Sequence, residues 1–167
     1  TQTAGLAFGG LGASPPTRVL TEEYDGSSWT AGGALTTARY SLAGAGTQTA
    51  GLAISGNPGP TNATEEYNGT SWTNGGNLNT ARFYLAGAGT QTSAIGFGAD
   101  PASAATELYD GSSWTNTSNL NTVRKNPGSA GATNAAALAF GGLAPSKTAA
   151  TEEFSGGGPA TLTVGTD

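Results

Sequence analysis

The chain of 167 residues is 36% hydrophobic and 10% charged, and it carries a formal net charge of −5. This acidic, charge-poor composition repels phosphate backbones and includes no basic run or long apolar stretch, which argues against nucleic-acid binding and membrane insertion. The sequence contains neither Cys nor His, which excludes disulfides, thiolate nucleophiles, imidazole-bound zinc and histidine general bases, so we expect no enzymatic activity and no cofactor.

One phrase occurs three times along the chain and begins a fourth time. It reads TEEYDGSSWT at 21–30, TEEYNGTSWT at 64–73 and TELYDGSSWT at 106–115, and the fourth copy starts with TEEF at 151–154. A period of this length is typical of architectures in which one small unit stacks on the next. We therefore predict a single domain over 1–167, with repeats at 1–39, 40–82, 83–124 and 125–158 and a closing strand at 159–167.

The repeat at 40–82 shows the order of elements most clearly. YSLAGAG and AGLAISG flank the polar turn TQT, a pattern that predicts a β-hairpin. ATEEYNG and SWT then predict two further strands, and no segment has helical periodicity. Four short strands per repeat of this length indicate a β-propeller blade. Strands are predicted near 4–9, 19–25, 40–46 and 50–56, then at intervals of about 43 residues, with essentially no helix.

The two ends of the sequence suggest how such a ring closes. Thr1-Gln2-Thr3 corresponds to the hairpin turn at 47–49, so the first copy lacks its innermost strand. The alternating segment PATLTVGTD at 159–167 is predicted to supply it, with 160–166 beside the strand at 4–9 and the last copy short of its outer strand. The alternative is an open, partial propeller completed by another chain or by missing upstream repeats. Because the sequence lacks Met, we also expect a processed chain, an excised domain or a segment of a longer protein.

The order of landmarks resembles the kelch repeat. A strand ends in Gly-Gly (LAFGG at 6–10 and 138–142), a later strand ends in Tyr-Asp-Gly, and a Trp and Leu-x-Thr-Ala-Arg follow. The phrases TEEYDG, SSWT, LNTAR, AGAGTQT and TQTAGLAFGG are also similar to repeat arrays in tail-fibre-like structural proteins of marine bacteriophages. The resemblance implies a kelch-like, all-β propeller of four blades of about 43 residues.

The same resemblance carries the functional expectation. It implies a non-enzymatic structural or adhesive module of a phage virion, in a tail fibre or another surface appendage, outside the host cell. Its partners would be other virion proteins or a host-surface glycan or protein, and a homo-oligomer stays open. The alternative from another class is a free carbohydrate-binding lectin with one site per blade.

The repeated tryptophans bear on that alternative, because aromatic rings can form a sugar-binding platform. Their recurrence at the blade period instead favours packing between adjacent sheets at the same place in every blade. The tyrosines that precede them follow the same logic. We therefore predict a structural role for Trp29, Trp72 and Trp114.

The repeated charged residues predict a brace rather than a catalytic or metal site. Neighbouring glutamates on a strand point to opposite faces, so a pair cannot converge on one ion. The first glutamate of each pair is constant and recurs with a constant arginine, which predicts Glu–Arg pairs between strands or neighbouring blades. Calcium bound by Asp25, Asp110 or loop carbonyls is an alternative, but the sequence has no loop with the regularly spaced aspartates of a calcium site. The predicted brace residues are Glu22, Glu65, Glu107, Arg39, Arg82 and Arg124.

The loop after the second strand of each repeat varies while its flanks repeat. Variable loops on a constant scaffold are a usual way to present binding residues, although tolerated surface variation explains the same pattern. The binding candidates from these loops are Ser14, Arg18, Asn57, Asn62, Asp100, Ser103, Ser146 and Lys147.

Overall fold

The computed structural model describes residues 2–13, 18–143, 145–156 and, for its backbone, 159–162. In this part of the chain all regular elements are β-strands, and there is no helix that could cross a membrane. The strands form four antiparallel sheets that follow one another along the sequence. The expectation of an all-β chain with essentially no helix is confirmed for the described residues.

Each sheet is a simple meander in which neighbouring strands are consecutive in sequence. The first sheet has three strands and the others have four. The first sheet contains β1 (Gly5–Phe8), β2 (Thr21–Tyr24) and β3 (Trp29–Ala31). The second contains β4 (Ala43–Thr47), β5 (Ala50–Gly56), β6 (Thr61–Tyr67) and β7 (Trp72–Asn74). The third contains β8 (Ala86–Thr90), β9 (Ser93–Phe97), β10 (Thr106–Tyr109) and β11 (Trp114–Asn116). The fourth contains β12 (Gly128–Thr133), β13 (Ala136–Phe140), β14 (Thr151–Phe154) and β15 (Pro159–Leu162).

The predicted strands lie near where they were expected, with one shift that recurs at the start of the second, third and fourth sheets. The strand expected over 40–46 begins only at Ala43, because Ser41 has a φ of 52° and belongs to the linker between sheets. Backbone bonds from Tyr84 N to Ser41 O (3.0 Å) and from Asn126 N to Tyr84 O (2.9 Å) connect successive linkers. These linkers and the variable loops lie at one end of the sheets, which we call the loop end; the short turns lie at the opposite, turn end.

The prediction for the closing strand is wrong. The described part of that segment, β15, pairs with β14 as the outer strand of the fourth sheet, with Phe154 opposite Pro159. This register reproduces that of Tyr67 opposite Trp72 in the second sheet. The physical reason lies in the turn: Gly156 has a φ of 76°, and a chain that reverses directly after β14 returns beside it. The last copy therefore has an outer strand, and residues 163–167 lie outside the described residues.

The first sheet is short of an inner strand in the described part of the chain. β1 pairs with β2 alone, and it corresponds to β5, the second strand of its sheet. A groove of about 820 Å³ lies between β1 and β4, lined by residues 4–8 and 42–48. Its position is that of the inner strand in the other three sheets.

Apolar clusters between consecutive sheets make up the core. The cluster between the first and second sheets contains Leu35, Tyr67 and Trp72 with Phe8 packed against them, and two similar clusters follow. Glycines on the inner strands allow the sheets to approach closely. A Cβ on Gly44 would lie 2.9 Å from the Phe8 ring, so a larger residue there would push the first two sheets apart.

Candidate functional site

Three buried ion pairs join consecutive sheets. Each pair joins an arginine in the linker that follows one sheet to a glutamate on the third strand of the next sheet. The arginines are Arg39, Arg82 and Arg124. The closest N···O distances are 2.8 Å to Glu65, 2.7 Å to Glu107 and 2.5 Å to Glu152. We call each contact between consecutive sheets a joint, and number the joints from the first to the third. The structure thus places the predicted arginine and glutamate partners together across neighbouring units.

The groups of each ion pair are also held by hydrogen bonds to the backbone. In the first joint, Arg39 Nη1 donates to the carbonyls of Ser55 (2.8 Å) and Ala63 (2.9 Å), and Glu65 Oε2 accepts from Thr36 N (2.7 Å). Burial lowers the pKa of Arg39 from its usual value, and the charge of Glu65 opposes that shift. A buried pair of this kind specifies how two sheets fit together more than it adds net stability.

Glu22 differs from the other predicted brace residues. It occupies the position of Glu65 and Glu107, but it is exposed. The arginines come from the linker that precedes each sheet, and in the described residues no sheet precedes the first. The predicted brace is therefore not formed at Glu22.

Two of the three tryptophans pack between adjacent sheets as expected. Trp72 and Trp114 are each 5% exposed, and their indole N–H groups donate to the hydroxyls of Thr21 (2.9 Å) and Thr64 (3.0 Å) in the preceding sheet. The prediction is wrong for Trp29, which is 51% exposed. Its indole contacts Tyr24 of its own sheet, and the described chain has no preceding sheet to cover it.

A second repeated side-chain contact was missed in the sequence. The hydroxyl of Tyr67 donates to Glu23, and that of Tyr109 donates to Glu66 Oε1 at 2.5 Å. Adjacent glutamates on one strand therefore contact two different sheets. Glu65 faces the preceding sheet, and Glu66 faces the following one. The alternation that excluded a shared metal ion is the reason for this division.

The third joint replaces this hydrogen bond with an apolar contact. Leu108 stands where Glu66 stands in the second sheet, and Phe154 stands where Tyr109 stands in the third. Both belong to the same apolar cluster. The two substitutions preserve the match between the sheets, since a carboxylate and a hydroxyl are lost together. Reading positions 108 and 154 as a pair would have revealed the contact from sequence.

The pH dependence of stability offers a test of this contact. Burial, followed by the hydrogen bond to Glu66, raises the pKa of Tyr109 to about 12. An unfolded tyrosine titrates near pH ~10, so the raised pKa stabilises the fold below pH ~10, and this contribution disappears as the pH rises to about 12. We expect urea denaturation to show a falling free energy of unfolding over that interval.

The third joint supplies the control for this titration. Tyr109→Phe combined with Glu66→Leu gives the second joint the Phe and Leu of the third joint. In this double variant the free energy of unfolding should fall less steeply with pH above pH ~10. An unchanged slope in the double variant would assign the alkaline loss to other groups.

The variable-loop candidates share the loop end, but several of them have structural contacts. Asn62 Nδ2 donates to Leu78 O at 3.0 Å, and Ser103 Oγ accepts from Ala105 N at 3.1 Å. Asp100 forms a partly exposed ion pair with Lys125 at 3.3 Å, a type of contact worth little energy.

The other candidates differ in how far they are available to a partner. Asn57 is half-buried, and its backbone pairs with that of Tyr40. Arg18 is also half-buried, whereas Ser146 and Lys147 are exposed. Ser14 lies outside the described residues. Of the seven candidates among the described residues, Ser146 and Lys147 are therefore the most accessible.

The aspartates considered for calcium begin short turns at the turn end. Asp25 Oδ1 accepts from the backbone N–H groups of Ser27 and Ser28, both at 2.8 Å. These hydrogen bonds hold the pKa of Asp25 well below its usual value, and Asp110 repeats the arrangement. Across the described residues, no three carboxylates gather into a group that could hold a metal ion.

Comparison with known proteins supports the fold alone. No protein-family model matches the sequence, and no curated protein matches it either. The chain is similar to the solved structure of YjhT, with a TM-score of 0.70 and 14% sequence identity. The match covers 87% of this chain and 52% of the YjhT chain. This chain therefore spans about half the length of that structure.

Proposed function

We propose that this chain is a kelch-like β-propeller module of four blades that acts as a non-enzymatic structural and adhesive part of a phage virion. Its place would be a tail fibre or another surface appendage, outside the host cell. The repeated phrases that resemble marine phage arrays support the assignment to a virion. The stacking of four similar sheets, together with the likeness to YjhT at a TM-score of 0.70, supports the propeller.

The observation that carries the adhesive role is the division between constant joints and variable loops. The repeated arginines and their glutamate partners are buried between sheets, where they hold the scaffold and cannot reach a partner. The residues that differ between repeats lie at the loop end, with Ser146 and Lys147 exposed. A rigid scaffold that presents different loops suits recognition of a host-surface glycan or protein, or of another virion protein.

Cell binding tests the adhesive role. Fluorescently labelled chain, incubated with intact cells of a panel of marine bacteria, is expected to bind at least one strain in a saturable manner. The combined change Ser146→Ala and Lys147→Ala should weaken that binding by about 10-fold, as expected when exposed polar contacts to a partner are removed. Thr49→Ala with Thr92→Ala, at exposed positions of the turn end, should leave it unchanged.

The remaining outcomes separate the alternatives. Binding to no strain, or binding lost only in the turn-end variant, would refute adhesion through the loop end. A glycan array of free oligosaccharides addresses the lectin alternative, which requires several equivalent sites per chain. Antibody raised against the chain should label phage particles grown on the bound strain, and unlabelled particles would refute the virion assignment.

A further inference from the structure

The first and fourth sheets each expose an aromatic side chain on their outward faces. Trp29 of the first sheet is 51% exposed, and Phe140 of the fourth is 41% exposed. Glu22 and Glu153 are exposed on the same two faces. At the positions equivalent to Trp29 and Phe140 in the interior sheets, the side chains are buried.

The two exposed aromatic residues occupy positions that pack together in the first joint. There, Phe8 of the first sheet lies against Trp72 of the second, with ring centroids 4.8 Å apart and planes at 60°. Phe140 is the fourth sheet's counterpart of Phe8, and Trp29 is the first sheet's counterpart of Trp72. The end sheets thus carry the two halves of an aromatic contact already formed inside the chain.

The hydrogen-bonding groups of the joints are divided between the same two faces. In the first joint, the Trp72 indole donates to Thr21 Oγ1, and the Tyr67 hydroxyl donates to Glu23. The acceptors at these places in the fourth sheet are Thr151 and Glu153, and the donors in the first sheet are Trp29 and Tyr24. Tyr24 and Trp29 already lie with ring centroids 5.1 Å apart, close to the 4.9 Å of Tyr67 and Trp72.

A contact at the turn end repeats the same division. Gln48 Nε2 of the second sheet donates to Tyr24 O of the first at 2.8 Å, and Gln91 does the same to Tyr67 O at 2.7 Å. Gln2 is the counterpart of Gln48 in the first copy, and Phe154 is the counterpart of Tyr24 in the fourth.

We propose that the fourth sheet of one copy of this chain packs on the first sheet of a second copy, forming a joint of the same kind as those within the chain. In that joint Phe140 packs on Trp29 of the second copy, Thr151 accepts from its indole, and Glu153 accepts from its Tyr24 hydroxyl. The surface is a continuation of an interface formed three times within each chain, and this identifies a second copy as the partner.

The geometry of the association is head to tail. An interface between two different faces repeats until it closes into a ring or extends as a filament. A closed dimer of this kind contains two such joints.

The intermolecular joint lacks one contact of the internal ones. Glu22 stands where Glu65 meets Arg39, but the fourth repeat has no arginine at the matching place in its described residues. The association therefore does without the ion pair, and we expect it to be reversible and dependent on concentration. It depends on the joints between sheets and not on the virion assignment.

Sedimentation equilibrium of the full chain over a range of concentrations tests the proposal, with Tyr24 and Glu153 as the informative pair. Glu153→Leu leaves the Tyr24 hydroxyl buried without an acceptor, and Tyr24→Phe leaves a carboxylate buried without a donor. Each single change should weaken association by about 10-fold or more. The double variant has the Leu and Phe residue types of the third joint, and it should associate within about 3-fold of the unchanged chain.

Tryptophan fluorescence of the same samples separates a second copy from closure within one chain. Association should shift the emission to shorter wavelength as the concentration rises, and Trp29→Phe should abolish the shift, because Trp72 and Trp114 are already buried. A chain that stays monomeric at all concentrations would overturn the proposal, whether Trp29 is exposed or already covered. Single variants that associate as well as the unchanged chain would overturn it too.

Discussion

Replacing Glu107 with alanine is expected to lower the free energy of unfolding by about 3–5 kcal/mol. The change leaves the guanidinium of Arg82 buried without its partner, which now lies at 2.7 Å. It also removes the acceptor, Oε2, of the Asn79 backbone N–H, which lies at 2.7 Å. Urea denaturation, with the m-value monitored to show that the transition is unchanged, measures the loss.

The first repeat provides a control for this experiment at an equivalent position. Glu22 has the same place on its strand but is exposed, and no arginine meets it in the described chain. Glu22→Ala should therefore change stability by no more than about 0.5 kcal/mol. Arg82→Met combined with Glu107→Leu should recover most of the stability, because replacing both partners leaves no charge buried alone. Equal losses at Glu22 and Glu107 would contradict this account of the joint.

The repeat pattern made the interior of the fold predictable. A recurring phrase with a turn sequence at each end places strands by local chemistry alone. The strand at Ala50–Gly56 lies where that chemistry put it, and the strand at Thr61–Tyr67 begins two residues before the predicted segment ATEEYNG. The joints were partly predictable for the same reason. A constant arginine and a constant glutamate in a chain with few charges have few other partners.

The first and last sheets were less predictable, because periodicity describes what neighbouring units share and each of these sheets has one neighbour in the described chain. The match of 159–167 to a missing inner strand rested on register across the two termini. The turn at Gly156, with a φ of 76°, instead returns the strand locally to β14. Pairing β15 with β14 closes a loop of a few residues, whereas pairing it with β1 would close a loop of nearly the whole chain. The shorter loop costs less entropy to close.

The Tyr–Glu contacts were missed for a different physical reason. Alternation along the strand places Glu65 and Glu66 on opposite faces, and this was used only to exclude a shared ion. In a stack of sheets both faces are interior, so each glutamate has its own neighbour. The exposed Glu22 and Glu153 are the two positions where that second neighbour is absent from the described chain.

Replacing Trp72 with alanine is expected to destabilise the fold by about 3–5 kcal/mol, as deletions of large aromatic side chains from cores do. The indole fills the space between the first two sheets, where it contacts Phe8 and Tyr67 with ring centroids 4.8 and 4.9 Å away. Its removal also leaves the Thr21 hydroxyl without the indole N–H that it accepts at 2.9 Å. Chemical denaturation at low protein concentration measures this loss within a single chain.

Trp29→Ala is the matched control, since it removes the same side chain from the same place in the repeat. Trp29 is 51% exposed, against 5% for Trp72, so at low concentration its loss should cost less than about 1 kcal/mol. The difference between the two variants measures what a covering sheet contributes, because the strand, the turn and the neighbouring tyrosine are shared. If the two variants lost the same stability, the indole would act within its own sheet and not between sheets. If Trp72→Ala kept its stability but lost binding to cells, the buried tryptophans would belong to a binding site, and the structural role assigned to them would be wrong.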